Sequence, residues 1–330
     1  MESSKSRPTE GQAKREKLFD YFSKNLATVK RHPKLHITPE FEDGVICPMC
    51  FKLFTREGLS SDYDDRLTLE DVPPIALGGQ PLLLTCKVCN NKAGSQLDAH
   101  LTRMLEMEEF LLGIPGVKIR TKFRPAPGIQ LPATTRFAQD GSIDIRYLPK
   151  RSHPDQIRLL NELAQNGKIN NISLDFLPGH KINRSEIALI RIAYLLAFAK
   201  FGYGFLINPA IHWVRQQIQS PADKLLPDWG IMPGTFPDEA LGVSILYQPT
   251  ELRGFLVVFD LQTAIRSTRY GILLPGPTSP SGCIYQNLAD LRSNPEVKNI
   301  TYSIHGLPNL DYLGNPELAF ASHELWKNLS

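Results

Sequence analysis

The sequence predicts an α+β protein with two parts: a small unit built around two cysteine pairs, and a larger unit with a mainly antiparallel sheet. Three observations support this prediction. Four of the five cysteines fall into two C-x-x-C pairs with 35 residues between them. Beyond them the chain alternates strand-like and helix-like segments without a repeat. Its 330 residues are 42% hydrophobic and 22% charged, which is typical of a chain that buries a substantial core.

Residues 1–40 predict a charged helical segment, with the helix itself at about residues 11–30. This segment contains nine Lys and Arg and five Asp and Glu. Its cations could contact phosphates, although a solvated helix surface is the commoner explanation of such charges. The first 17 residues contain no apolar run, so we expect no secretory signal and a cytoplasmic location. The residues at helical spacing that predict an apolar face are Leu18, Phe19, Phe22, Leu26 and Val29.

The two cysteine pairs predict a zinc site. Cys47 and Cys50 form the first pair, and Cys86 and Cys89 form the second. A two-residue gap lets a tight turn direct both sulfurs at one ion, and four thiolates complete a tetrahedral structural site with no open position. Disulfides or redox motifs are the alternatives, but they suit two matched pairs in a reducing compartment poorly. Cys283 stands alone, and we expect it to be a small buried hydrophobe.

The stretch between and after the cysteine pairs predicts strand, loop, strand and helix. "LTLEDVPP" is strand-like, "IALGGQ" contains a glycine turn, and "PLLLTC" leads into the second pair. A helix is then expected from Asn90 to about residue 112, because Gly113 and Pro115 end the pattern. Its apolar positions at helical spacing are Leu97, Leu101, Met104, Leu105 and Leu112.

Residues 47 to about 113 resemble the HNH (His-Asn-His) endonucleases of ββα-metal fold, in the subgroup with a four-cysteine zinc clamp. The resemblance rests on "CPMC", "EDVPPIALGG" and "LTCKVCNNKAG" and covers about a fifth of the chain. It implies a zinc-binding HNH-like domain over residues 41–114. In that family an acidic residue helps hold a divalent metal, the following His activates water, an Asn orients the His, and a His or Asn on the helix completes the metal site.

Carried over residue by residue, the resemblance assigns the acid to Glu70 and puts Asp71 where the general base His belongs. The middle Asn would fall near Pro81 and is absent. The third position falls on Asn90, with Asn91 as its neighbour. The candidate catalytic residues are therefore Glu70, Asp71 and Asn90, and two of the three motif positions depart from the family pattern.

The replacement of His by Asp leaves two possibilities open: a site that works through a bound metal ion, or a catalytically inactive remnant on an intact zinc scaffold. An aspartate is the weaker base at neutral pH, with a reference pKa near 3.9 against about 6.5 for His. A carboxylate still binds hard cations, so Glu70, Asp71 and Asn90 could hold a catalytic Mg²⁺ or Mn²⁺ if the strand bends between the two acids. His100 lies too far along the helix from Asn90 to share that metal. Asp98 could support the site, although polar helix surface is the simpler interpretation.

Residues 115–330 predict an α+β domain whose role could be substrate selection, sensing or assembly. "VKIRTKF" and "IQLPATTRFAQDGSIDIRYL" are strand-like, the latter with a hairpin turn at Asp140-Gly141. Three strand-like segments between 241 and 276 predict a meander. The apolar stretch beginning at Ile187 contains Arg191 and Lys200, which favours a buried helix over a membrane span.

These features lead to two functional hypotheses from different classes. In the first, the chain is an HNH-like, metal-dependent endonuclease that hydrolyses DNA phosphodiester bonds, of bacterial type and with a role in defence against foreign DNA. In the second, the zinc module is catalytically degenerate and serves as a nucleic-acid-binding or assembly unit. The net charge of −6 over residues 41–112 favours the second, because a DNA-binding surface is expected to be positive. The larger domain could also mediate homo-oligomers or bind a partner protein.

Overall fold

The computed structural model describes residues 9–33, 35–38, 40–169, 172–177, 179–232, 235–277, 283–297 and 300–327. The fold is α+β with antiparallel sheets, as predicted. No helix in these ranges has the length and apolarity needed to cross a membrane. The helices are α1 (Glu10–Lys30), α2 (Lys87–Ala93), α3 (Ala99–Leu111), α4 (Pro154–Gln165), α5 (Ile182–Phe201), α6 (Tyr203–Leu206), α7 (Pro209–Gln219), α8 (Cys283–Ser293) and α9 (Ala321–Lys327).

The strands of the described ranges belong to four antiparallel sheets. Two of these sheets are two-stranded, β1 with β2 and β3 with β4. The other two have the strand orders β13-β10-β11-β12-β9 and β7-β6-β5-β8. The strands are β1 (Val45–Ile46), β2 (Leu53–Phe54), β3 (Leu67–Val72), β4 (Gln80–Cys86), β5 (Lys118–Ala126), β6 (Ile129–Phe137), β7 (Ile143–Tyr147), β8 (Ser173–Phe176), β9 (Ile231–Met232), β10 (Gly242–Gln248), β11 (Gly254–Gln262), β12 (Ser267–Pro275) and β13 (Ser303–Gly306).

The chain divides into two compact units. The first, here called the discontinuous unit, consists of residues 1–98 and 186–330, and the second, the inserted unit, consists of residues 99–185. These units are defined by packing, whereas the segments 1–40, 41–114 and 115–330 were inferred from motifs and remain a prediction.

The discontinuous unit is built around helix α5, whose residues from Ile187 to Phe198 are buried on nearly every side. Such a helix is stable only when surrounded by other elements. Its aromatic side chains show how this is achieved. Phe198 stacks on Phe22 of α1 with 5.0 Å between ring centroids, and Phe201 lies 5.4 Å from Phe255 of β11. Helix α5 therefore joins the N-terminal helix to the five-stranded sheet in one core.

The inserted unit is a four-stranded antiparallel sheet with one buried face. Positions alternate along β5 and β6, so that one set of side chains faces the core and the other faces outward. The hairpin turn predicted at Asp140-Gly141 joins β6 to β7, and Gly141 has the positive φ of 80° that such turns require. The inner face packs in two clusters, one of Met107, Phe110, Val117 and Ile119 and one of Ile129, Leu131 and Leu160.

Two local predictions can be compared directly with the structure. The N-terminal helix is confirmed, because α1 covers Glu10–Lys30 and buries Phe19, Phe22, Leu26 and Val29. The expectation for Cys283 is wrong. Cys283 is exposed, because it is the first residue of α8 and precedes the buried positions of that helix.

Candidate metal centre and the buried arginine beside it

The first cysteine pair is held by a tight turn between strands β1 and β2. The Phe51 amide donates to the Cys47 carbonyl over 2.9 Å, and the Cys47 amide donates to the Lys52 carbonyl over 2.9 Å. Phe51 adopts a φ of 63°, which is uncommon for a residue with a side chain. This turn brings the sulfurs of Cys47 and Cys50 to the same side.

The second pair lies where β4 passes into α2. Cys86 is both the last residue of the strand and the N-cap of the helix, and its Sγ accepts a hydrogen bond from the Cys89 amide over 3.4 Å. The Cys86 amide in turn donates to Cys47 Sγ over 3.5 Å. Amide donors of this kind favour a sulfur that carries negative charge, as a metal ligand does.

The four cysteines lie close enough together to hold a metal ion. Their Sγ atoms all fall within 4.8 Å of one another, and the Cys50 and Cys86 sulfurs are 3.7 Å apart. Zinc bound tetrahedrally at about 2.3 Å per sulfur places its ligands about 3.8 Å apart, so the donor set and spacing fit zinc. Among the described residues this is the one group of three or more Cys, His, Asp or Glu ligands that could hold a metal.

Thiols packed at this distance affect each other's ionisation. The contact between them raises the pKa of Cys47 and lowers the pKa of Cys50, because a proton kept on one sulfur is shared with the other. Four thiolates without a cation would repel each other strongly. A bound divalent metal removes that repulsion, which is the physical reason for a metal at this position.

Residues far along the chain fix the backbone of the first cysteine turn. Tyr194 of α5 donates its hydroxyl to the Pro48 carbonyl over 2.7 Å. Arg215 of α7 donates to the Met49 carbonyl over 3.0 Å, and Gln219 also donates to that carbonyl. The metal centre therefore depends on helices that follow it by more than 90 residues.

The Tyr194 contact gives a testable prediction. In Tyr194→Phe the Pro48 carbonyl loses its buried donor, which costs about 1 kcal/mol, and the turn becomes less well fixed. Changes to groups that orient metal ligands typically lower affinity about 10- to 100-fold. We expect a tighter-binding chromophoric chelator to remove metal faster from this variant, measured by stopped-flow absorbance. Tyr63→Phe, at an exposed tyrosine in the same unit, should leave the rate unchanged.

Glu70 occupies a buried position in which both carboxylate oxygens already have partners. Its Oε1 accepts from Arg191 over 2.5 Å, and its Oε2 accepts from the Thr85 hydroxyl over 2.6 Å. The side chains of Glu70 and Arg191 are 4% and 1% exposed. The predicted metal-binding acid is thus the partner of an arginine that the sequence did not connect with it.

Asp98 joins the same cluster, which corrects the interpretation of this residue as polar helix surface. Its two oxygens both lie 3.3 Å from Arg191 Nη1. Burial raises the pKa of Asp98, while the Arg191 charge opposes that rise. Burial alone would lower the pKa of Arg191, but Glu70 and Asp98 outweigh it and raise that pKa. We call Glu70, Asp98 and Arg191 the buried triad.

Asp71 and Asn90 lie near Glu70 but have different surroundings. The ladder between β3 and β4 shifts register between Glu70 and Asp71, so the strand pair is irregular at this point. Asp71 is half-buried, and burial followed by the nearby Glu70 charge raises its pKa. Asn90 donates its amide to the Thr68 hydroxyl over 3.1 Å and to the Leu69 carbonyl over 3.0 Å. Asn90 therefore ties α2 to β3 through the backbone just before Glu70.

This arrangement does not fit a catalytic Mg²⁺ or Mn²⁺ held by Glu70. A divalent cation at that carboxylate would lie beside the buried Arg191 guanidinium, and it would have to displace either this group or Thr85. The Asp71 carboxylate makes no hydrogen bond and no ion pair within 4 Å to a described residue, and Lys14 acts on it only through its more distant charge. One free carboxylate is too few protein ligands to define a divalent-metal site of this kind.

Comparisons of the chain with protein-family models, with curated proteins and with solved structures found no match.

Proposed function

We propose that the chain is a non-hydrolytic binding or assembly protein in which four cysteines hold a structural zinc ion. In this proposal the HNH-like module, residues 41–114, is a degenerate form of a nuclease module. The observation that carries the proposal is the engagement of Glu70 by Arg191 and Thr85. Together with Asp71 in place of the usual His, it leaves neither the metal-binding acid nor the general base of such a module available.

Zinc would serve this function by fixing the architecture around Cys47, Cys50, Cys86 and Cys89. A site with four thiolate ligands leaves no position for water or substrate, so its contribution is to stability. The chemistry that the ion supplies is the neutralisation of four negative sulfurs. Backbone amides donate directly to the sulfurs of Cys47 and Cys86, and the Tyr194 hydroxyl fixes the first cysteine turn through the Pro48 carbonyl.

The second candidate function is DNA hydrolysis, and one observation favours it. The raised pKa of Asp71 moves this carboxylate toward the range in which a general base works at neutral pH. In this alternative Asp71 would take over the role of the missing His. The buried triad argues against it, because it removes Glu70 from the set of available metal ligands.

A nicking assay separates the two candidates. Supercoiled plasmid would be incubated with the purified protein in Mg²⁺, in Mn²⁺ and in EDTA, beside Asp71→Ala, Asp71→His and the exposed control Asp64→His. We expect no metal-dependent nicking by any of the four proteins. Asp71→His should also be inactive, because Arg191 still occupies Glu70.

Two results would contradict this expectation in different ways. Nicking by the wild type that is lost in Asp71→Ala would establish Asp71 as a base and favour the hydrolytic candidate. Nicking that appears only in Asp71→His, and not in Asp64→His, would mean that the Arg191 pairing does not prevent metal binding. In that case the substitution at position 71 alone would account for the lost activity.

A further inference from the structure

The positive charge of the protein is concentrated in the inserted unit. Residues 99–185 contain 13 Lys and Arg against eight Asp and Glu, a net charge of +5. The remaining residues contain 24 against 26, a net charge of −2. The unit without the metal centre is therefore the one suited to an anionic partner.

Within this unit the cations line one face of the sheet. Along β5 the inner positions Ile119 and Thr121 are buried, while every outward position from 118 to 124 is a cation. The four outward residues are Lys118, Arg120, Lys122 and Arg124. Because successive outward side chains lie two residues apart, they form a straight stripe about 20 Å long.

Neighbouring strands extend this positive face. One row across β5, β6 and β7 consists of Lys118, Arg136 and Asp144. The next row consists of Arg120, Thr134 and Arg146. Asp144 forms ion pairs with both Arg136 and Arg146, at 2.9 and 3.1 Å.

The β5 stripe is only partly neutralised by acidic groups. On its other side Asp175 of β8 pairs with Arg124 at 2.6 Å. Among the described residues, Lys118, Arg120 and Lys122 form no ion pair within 4 Å, although Asp175, the partner of Arg124, lies opposite Lys122 in the ladder.

The composition of the outward face indicates what class of partner it fits. Its positions on β5 to β8 carry no aromatic side chain, so it offers no platform on which unpaired bases could stack. It also lacks the exposed apolar centre that a protein interface needs. A row of cations without aromatic neighbours fits the phosphates of a duplex. Duplex DNA carries one phosphate about every 1.7 Å of helix axis, so a 20 Å length presents about 12, and those on the near side of the helix face the stripe.

We propose that the outward face of the inserted unit's sheet binds duplex DNA through its phosphates, with Lys118, Arg120 and Lys122 as the principal contacts. Binding by this face is independent of base sequence, because phosphate contacts position a protein without reading bases. This inference does not depend on the proposed role of the metal centre. A protein that cannot cut DNA can still bind it by this face.

The test measures how affinity depends on salt. Fluorescence anisotropy with a labelled 20-base-pair DNA duplex would be recorded from 50 to 200 mM salt for the wild type and for Lys118→Gln/Arg120→Gln/Lys122→Gln. The control is Lys17→Gln/Lys24→Gln/Lys224→Gln, which removes three exposed lysines from the discontinuous unit. Three phosphate contacts contribute about 2.7 to the slope of log affinity against log salt, or about a 40-fold fall in affinity over this range.

We expect the first triple variant to lose about 2.7 of the slope and the control to keep the wild-type slope. Lys118→Arg/Lys122→Arg should also keep it, since charge is retained, which separates charge loss from misfolding.

The proposal is overturned if the wild type does not bind at 50 mM salt, or if the control loses as much slope as the first variant. Displacement of DNA by polyglutamate at equal charge would indicate an acidic protein partner instead. Tenfold tighter binding of an RNA duplex would overturn the assignment to DNA.

Discussion

Removal of the metal should unfold the region around the two cysteine pairs. The apparent binding free energy of structural zinc in small peptides is about 10–16 kcal/mol at neutral pH. This is as large as the whole stability of an ordinary domain, about 5–15 kcal/mol. We expect the purified protein to contain one zinc per chain and to melt at a lower temperature in an excess of strong chelator. Elemental analysis and differential scanning calorimetry measure these two quantities.

Cysteine variants give a matched comparison for this prediction. Cys89→Ser should be purified without zinc and should melt like the chelated wild type, because three thiolates hold the ion weakly. Cys283→Ser should behave like the untreated wild type, since that thiol is exposed and lies outside the cluster. If metal-free wild type melts at the same temperature as the zinc-bound protein, the cysteines do not form a structural zinc site.

Replacing Arg191 by Met should destabilise the discontinuous unit by about 3–5 kcal/mol. The substitution leaves the buried Glu70 and the partly buried Asp98 without a cation, and the cost is that of an uncompensated buried charge. The matched control is Arg56→Met. Arg56 also pairs with two aspartates, Asp20 and Asp43, but its side chain is 52% exposed, so its loss should cost less than about 1 kcal/mol. Urea titrations of the two variants against the wild type measure both values.

The pH dependence of Arg191→Met distinguishes charge from packing. Burial raises the pKa of Asp98, and without the guanidinium the main opposing charge is gone, so the folded pKa of this carboxyl lies further above its unfolded one. The folded state then binds more protons, and its stability rises as pH falls through the raised pKa. We expect the difference in unfolding free energy between Arg191→Met and the wild type to become smaller from pH 7 to pH 5. A difference that does not change with pH would show that lost packing, not charge, causes the destabilisation.

The parts of the site that the sequence predicted are those in which spacing alone determines geometry. Two residues between Cys47 and Cys50, and between Cys86 and Cys89, are enough to specify two turns that can share an ion. The convergence of the four sulfurs agrees with that prediction. The order strand, loop, strand of β3 and β4 was also predicted, because a glycine turn separates the two segments. The helix that follows begins at Lys87, three residues before the predicted start at Asn90, because Cys86 is its N-cap.

The buried triad was not predicted, because its members are separated by long stretches of chain. Arg191 is 121 residues from Glu70 and 93 from Asp98. One signal was available: a cation inside an apolar helix must find a partner if the helix is buried. The charges in this helix favoured a buried helix over a membrane span, but they could not identify the partner of Arg191, because many acids precede the helix. The same limit applies to Tyr194, whose hydroxyl gave no indication of its contact with Pro48.

The position of the Asp98–Arg191 ion pair has a consequence for how the chain folds during synthesis. Asp98 is the last residue before the inserted unit, and Arg191 follows the end of that unit by six residues. The ion pair thus connects the segment that enters the 87-residue inserted unit to the segment that leaves it. A ribosome has to complete the inserted unit before this closure can form. Until then the four thiols lack Tyr194 and Arg215, so we expect the nascent chain to be most sensitive to oxidation during this interval.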